Sequence, residues 1–137
     1  MILKFFLFIA FICTSACSTL YETSQFKPKP VSDNSVAVYL YRPSAMSNAA
    51  YSPELFVEDE YKLSLKNGHH SSMTLTPGIT VFEIDPNKNY SGVTQLSLTL
   101  LAGKSYYIRV NTSLKLDASA SYEPYQRSFN LIVIDET

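Results

Sequence analysis

Hydrophobic and polar residues alternate strictly in the clearest stretch of the chain. From 95 to 100, Leu occupies every second position with Gln, Ser and Thr between, and a second alternating stretch covers 106–111. A period of two places apolar side chains on one face of a β-strand and polar ones on the other. Ala102-Gly103 separates the stretches as a tight turn. The pattern predicts an antiparallel hairpin with one water-facing side.

Six further stretches are apolar or alternate similarly, between turn residues such as Asn-Gly and Pro-Gly. They predict strands at 36–41, 54–57, 61–65, 69–75, 79–84 and 128–135. Two of these flank an acidic turn, Glu58-Asp59-Glu60, and predict a second hairpin. The last is apolar on both faces, which favours a central strand. Polar residues at 85–92 and 113–127 predict loops.

The strand spacing indicates the fold class. Seven or eight short strands at intervals of about 8–12 residues, without a persuasive helical period, are typical of an antiparallel β-sandwich or barrel. The content of 10 Tyr and 8 Phe, with no Trp, favours pleated, half-buried surfaces. We therefore expect one all-β domain, an antiparallel β-sandwich of seven or eight strands, over residues 36–137.

The N-terminus carries the features of an export signal. A positive charge at Lys4 precedes an unbroken apolar run over 5–12, and small residues follow. The run is shorter than the roughly 20 residues that a membrane-spanning helix needs. Residues 1–16 are therefore predicted to be a signal peptide.

The residues at the predicted cleavage site resemble the lipobox of bacterial lipoproteins. Thr14-Ser15-Ala16-Cys17 matches it at Ser15 and Ala16 and departs at Thr14, where Leu is usual. The resemblance implies cleavage before Cys17 and fatty acylation of its sulfur. The alternative is a plain secreted protein, cut elsewhere, in which Cys17 is an ordinary thiol.

Residues 17–35 are predicted to be a lipidated N-terminus and flexible tether. They are rich in Ser and Thr, contain Lys27-Pro28-Lys29-Pro30, and lack apolar periodicity. The alternative is a first edge strand, since sheets admit Pro mainly at their edges. Ser18 follows the cysteine, whereas Asp there is the usual inner-membrane retention signal. We therefore expect an outer-membrane anchor with the domain facing the periplasm.

Charge and cysteine content narrow the functional classes. The chain has 11 Lys plus Arg against 12 Asp plus Glu, and loss of Lys4 leaves 10 against 12, a net charge of −2. No basic stripe is present, which argues against nucleic-acid binding. Cys13 lies in the signal peptide and Cys17 would carry lipid, so the mature domain is expected to have no disulfide.

Several motifs resemble, in order, a family of small bacterial lipoproteins that carry one domain of unknown function. The similarity spans 36–110 and is most specific at Tyr41-Arg42-Pro43 and at Ala102-Gly103-Lys104-Ser105-Tyr106-Tyr107. It departs after the Pro-Gly turn, where Ile79 stands in place of the usual Lys or His. The resemblance implies a β-sandwich of the prealbumin or immunoglobulin type and a lipid-anchored address, and it implies no activity.

The chain offers only weak candidates for a catalytic or metal-binding site. His69 and His70 are adjacent, so on a strand they point to opposite faces and cannot readily chelate one ion. The stretch from Asp85 to Leu96 imitates a calcium loop but has Tyr90 at the sixth position and Leu96 at the twelfth, which favours a solvated turn. No nucleophile motif occurs. We expect neither enzymatic activity, nor a metal, nor a cofactor.

The remaining candidate is a surface. If Leu40 faces the core, then Tyr39 and Tyr41 face outward, and Tyr107 and Arg109 join them on a water-facing sheet surface. The alternative is that a second sheet, or the loop with Tyr122 and Tyr125, covers these residues.

These features favour a non-catalytic binding or adaptor module for another envelope protein. Two alternatives remain: a module that binds peptidoglycan or surface glycan through its tyrosines, and an accessory lipoprotein of an envelope-spanning secretion system.

Overall fold

A computed structural model of the chain describes residue 28 and residues 31–116 and 125–136. The described residues contain strands and no helix, and therefore no helix able to cross a membrane. The eight strands are β1 (Val36–Tyr41), β2 (Glu54–Val57), β3 (Glu60–Ser64), β4 (His70–Leu75), β5 (Gly78–Ile84), β6 (Gln95–Leu100), β7 (Ser105–Leu116) and β8 (Tyr125–Glu136).

The strands form two four-stranded sheets that pack face to face. The first sheet has the order β4-β1-β7-β8 and the second the order β3-β2-β5-β6. All neighbours are antiparallel except β1 and β7, which run parallel. The predicted all-β sandwich is therefore confirmed, with one parallel pair that the sequence pattern did not indicate.

The core lies between the two sheets. Alternate residues of the inner strands point inward, so each strand contributes apolar side chains to one shared layer. Its fully buried members include Val36, Val38, Leu40, Leu55, Phe82, Ile84, Leu100, Tyr106, Ile108, Val110 and Phe129. Burial of this apolar area, at roughly 25 cal/mol per Å², is the main stabilising contribution.

The predicted hairpin at the acidic turn is confirmed as β2 and β3. Glu58 and Asp59 occupy the turn with φ angles of 52° and 63°, a left-handed conformation that Asn and Gly adopt more readily. The carboxylate of Glu58 accepts a hydrogen bond of 2.5 Å from the Val81 amide of β5. The turn is therefore tied to the neighbouring strand rather than fully solvated.

The predicted hairpin of the two alternating stretches is wrong. β6 and β7 belong to different sheets, and the turn at Ala102 and Gly103 carries the chain from one layer to the other. Both strands face the same core, so their alternation is the same as in a paired hairpin. The Tyr106 hydroxyl spans the layers: it accepts from the Leu101 amide (3.0 Å) and donates to the Thr99 carbonyl (3.1 Å).

Two predictions near the C-terminus are also wrong. The expected loop at 113–127 is strand at both of its ends, because β7 continues to Leu116 and pairs with β8 from Tyr125, whereas 117–124 lie outside the described residues. β8 is an edge strand, not a central one. One of its two apolar faces is exposed to solvent: the outward side chains Ile132 and Ile134 are 43% and 56% exposed.

The predicted signal peptide, Cys17 and most of the tether lie outside the described residues. Within the described end of the predicted tether, the Ser35 amide donates to the Ser32 carbonyl in a turn, and the Ser35 carbonyl accepts from the Gly103 amide. The folded domain therefore includes residues just before position 36.

Candidate functional site

The four residues predicted to form a binding surface are neighbours on the sheet that contains β1 and β7. In the parallel register Tyr39 lies beside Tyr107, and Tyr41 lies beside Arg109. Side chains opposite each other on adjacent strands lie within contact distance of one another.

Tyr39 differs from the prediction in its exposure. Its ring stacks on that of Tyr107, with centroids 5.1 Å apart and planes at 19°, and Tyr39 is only 5% exposed. The expectation that Tyr39 faces water is therefore wrong. The stacked faces of the two rings are occupied by each other, which removes one platform on which a sugar ring would stack.

Two residues outside the predicted set, Ile132 and Ile134, extend this surface. Arg109 pairs with Ile132 on β8, and Ile134 lines a hollow of about 320 Å³ together with Tyr41, Tyr107 and His70. We call Tyr41, Tyr107, Arg109, Ile132 and Ile134 the outer aromatic face. Tyr41 is 46% exposed, similar to the two isoleucines. The sequence signal for these two residues is the apolar pattern on both faces of β8, but a central strand has the same pattern.

A second group of side chains meets at one end of the sandwich. We call Tyr51, Asp85, Lys88, Tyr90 and Arg127 the loop cluster. Tyr51 belongs to the segment between β1 and β2, Asp85, Lys88 and Tyr90 to the segment between β5 and β6, and Arg127 to β8. The members of this cluster lie far apart in the chain and share no motif, so local residue patterns do not predict it.

Asp85 organises the loop cluster. It is 4% exposed, and its carboxylate accepts hydrogen bonds from the Glu54 amide (2.9 Å) and the Tyr51 hydroxyl (2.7 Å). Both oxygens are therefore occupied by protein donors. The predicted solvated turn is wrong at this residue, which is a buried anchor between two loops.

The two tyrosines of the loop cluster are hydrogen-bonded in sequence. Since the Tyr51 hydroxyl donates to Asp85, its oxygen accepts from the Tyr90 hydroxyl (2.5 Å) and from the Lys88 ammonium (2.7 Å). Burial is the largest cause that raises the pKa of Tyr51, and it also raises the pKa of Tyr90, with the hydrogen bond to Tyr51 adding to the increase. Both phenols are therefore neutral at physiological pH.

Arg42 positions the loop that carries Tyr51. The side chain is fully buried, and its guanidinium donates to the carbonyls of Tyr51 (2.7 Å), Leu65 (2.6 Å) and Asn48 (2.8 Å). Burial lowers the pKa of Arg42. The only ion pair among the described residues is Lys62 with Glu60, so backbone carbonyls rather than a carboxylate hold this charge. The Arg of the Tyr-Arg-Pro motif thus has a structural role.

The two histidines considered as metal ligands do not come together in one site. The His69 ring nitrogen Nδ1 contacts the Asn67 carbonyl at 2.8 Å, whereas His70 lines the hollow on the outer aromatic face. Within the described residues, no group of three or more His, Cys, Asp or Glu side chains is arranged to hold a metal ion.

The two sheets form an all-β sandwich domain that carries these two surfaces. The chain belongs to the DUF2846 family, whose description is "protein of unknown function"; the family model matches residues 32–123. Comparisons with curated proteins and with solved structures gave no match. The family match agrees with the resemblance to a single domain of unknown function and begins four residues before the predicted domain boundary.

Proposed function

We propose that the protein is a lipid-anchored, periplasm-facing module of the bacterial envelope that binds another envelope protein without catalysing a reaction. The observation that carries this proposal is the outer aromatic face. A solvated sheet surface normally carries polar residues, whereas here Tyr41, Ile132 and Ile134 are each more than 40% exposed. Apolar residues clustered on an exposed surface are typical of a protein interaction site.

The chemistry of the face indicates the kind of partner. Arg109 lies between Tyr41 and Ile132 in the sheet register, is exposed, and makes no ion pair with another described residue. Aromatic residues and Arg are the side chains most enriched at the energetic centres of protein interfaces. The face therefore fits a partner that presents an apolar side chain beside a carboxylate.

The glycan alternative has less support on this face. Sugar binding by stacking requires an open aromatic ring, whereas Tyr39 is buried and stacked on Tyr107. An accessory role in a secretion system is a special case of the protein-binding proposal, and the identity of the partner would distinguish it.

Photo-crosslinking tests the proposed protein interface. A photoreactive amino acid at position 41 or 132 is expected to link the protein to a partner in intact cells. The matched control is position 79, because Ile79 is also an apolar strand residue, is 75% exposed, and lies on β5 in the other sheet. Ile132→Glu is expected to weaken recovery of that partner about tenfold or more. Equal crosslinking at 79, or none at 41 and 132, would contradict the proposal.

Metabolic labelling tests the proposed lipid anchor. Cys17→Ala is expected to abolish labelling by a clickable palmitate analogue and to shift the protein from the membrane to the soluble fraction, since each buried CH₂ contributes about 0.8 kcal/mol. Cys13→Ala is the control, because Cys13 lies in the predicted signal peptide and its loss should leave labelling unchanged. Labelling that survives Cys17→Ala would exclude this anchor.

A further inference from the structure

The loop cluster borders a cavity that is separate from the outer aromatic face. The cavity has a volume of about 480 Å³, within the range of roughly 300–1,000 Å³ found for small-molecule sites. Its lining residues come from the segment between β1 and β2 and from the paired strands β7 and β8: Met46, Asn48, Ala49, Tyr51, Leu114 and Arg127, with Ala50 and Tyr125. We propose that this cavity binds a carboxylate carried on a short apolar body.

The walls of the cavity favour an apolar ligand body. Met46, Leu114 and Tyr125 project apolar groups at its border and are all exposed, Met46 almost completely. The side chains of Ala49 and Ala50 are single methyl groups, so they take up little of the space in the cavity. A ligand in this position would cover exposed apolar surface, which is favourable by roughly 25 cal/mol per Å².

Arg127 supplies the charge that would select a carboxylate. Its guanidinium carbon lies 5.0 Å from the centre of the Tyr51 ring, within the range of a cation–π contact. The planar guanidinium carries pairs of N–H groups that match the two oxygens of a carboxylate. Arg127 forms no ion pair with another described residue, and none of the lining residues is acidic.

The surrounding contacts hold the cavity in one shape. Arg42 binds the carbonyls of Asn48 and Tyr51, and the side-chain amide nitrogen Nδ2 of Asn48 donates to the Ser113 carbonyl on β7 at 2.9 Å. The hydroxyl of Tyr51 is held by Asp85 and Lys88. Because both walls are tied to the sandwich, a ligand would bind a preformed site and lose little affinity to reorganisation.

Calorimetric titration of the full chain in a non-ionic detergent tests this site. The probes are octanoate, for a lipid-derived carboxylate, and N-acetylleucine, for the C-terminus of a peptide, each compared with its neutral amide. At least one acid is expected to bind about tenfold or more tightly than its amide, because the amide lacks the charge paired with Arg127. Preference for one acid identifies the source of the ligand.

Matched variants separate this site from non-specific attraction. Arg127→Gln is expected to weaken binding of the acid about tenfold or more, and Arg127→Lys to have an intermediate effect because it keeps the charge without the planar fork. Lys104→Gln removes an exposed positive charge from the turn between β6 and β7, outside both surfaces, and should leave binding unchanged. Thermal melting confirms that each variant is folded.

Three outcomes would overturn the inference: equal binding of acid and amide, equal loss in Arg127→Gln and Lys104→Gln, or no binding of either acid at millimolar concentration. None of them bears on the proposed protein interface, which lies on another surface and has its own test.

Discussion

Replacing Arg42 with Met is expected to lower the free energy of unfolding by about 3–5 kcal/mol, since removing one partner of a buried, charge-assisted hydrogen-bond network leaves the other groups unsatisfied. The substitution keeps an unbranched apolar stem but leaves three carbonyl groups, those of Asn48, Tyr51 and Leu65, without the guanidinium. Part of this loss is offset, because the variant no longer buries a positive charge. Denaturant unfolding followed by circular dichroism measures the difference.

Arg42→Lys and Arg109→Met are the controls for this prediction. A lysine ammonium lacks the fork that reaches the three carbonyls, so Arg42→Lys is expected to cost about 2 kcal/mol or more. Arg109 is exposed, and its substitution should change stability by less than about 0.5 kcal/mol. A change within about 1 kcal/mol for Arg42→Met would show that the carbonyls find other donors and that this arginine does not stabilise the loop.

Replacing Gly92 with Ala is expected to cost about 3 kcal/mol or more, through steric overlap and loss of hydrogen bonds to β8. Gly92 has a φ of +100°, and a Cβ atom there would lie 2.2 Å from the Phe129 carbonyl oxygen and 2.8 Å from side-chain atoms of Ser128 and Asn130. Because the nearest atom belongs to the backbone of β8, no change of side-chain rotamer can make room for the added Cβ atom.

The hydrogen bonds at risk are those that join the segment 91–93 to β8. The Ser91 amide donates to the Arg127 carbonyl (3.2 Å), and the Ser91 carbonyl accepts from the Phe129 amide (3.0 Å). The Val93 amide donates to the Asn130 side chain (2.9 Å), and the Val93 carbonyl accepts from the Leu131 amide (3.0 Å). Displacement of this segment would also move Phe129, which packs against the ring of Tyr90 at 4.9 Å.

Gly103→Ala is the matched control for Gly92→Ala. Gly103 also has a positive φ, +73°, but a Cβ there would have no atom within 4 Å. Its substitution therefore reports the conformational cost alone, about 1–2 kcal/mol. Equal destabilisation by the two variants in parallel unfolding experiments would mean that backbone conformation, rather than contact with β8, explains the effect at Gly92.

Local residue patterns predicted the individual strands well. β1, β2, β5 and β6 lie where period-two alternation or β-branched runs placed them, and the β2–β3 hairpin forms around its acidic turn. Pairing was harder to predict. Alternation at 95–100 and 106–111 indicates that each strand has one apolar face, but two strands that face each other across a core have the same pattern as two strands side by side.

The sequence pattern predicts part of the outer aromatic face and none of the loop cluster. The shared face of Tyr41, Tyr107 and Arg109 follows from alternation alone. The exposure of Ile132 and Ile134 does not, because a strand with two apolar faces normally indicates burial. The loop cluster was not predicted. The sequence around Asp85 indicates only an incomplete calcium loop, because its partners Tyr51 and Glu54 lie more than 30 positions away in the chain.

The order of residues along the chain was enough to establish an all-β sandwich, its strand positions and the composition of one outer face, because these depend on neighbours within a few residues. The parallel contact of β1 with β7, the burial of Arg42 and Asp85, and the cavity beside Arg127 depend on side chains brought together from distant segments. Such contacts arise when two sheets close on a common core, and local alternation carries no information about which segments will meet there.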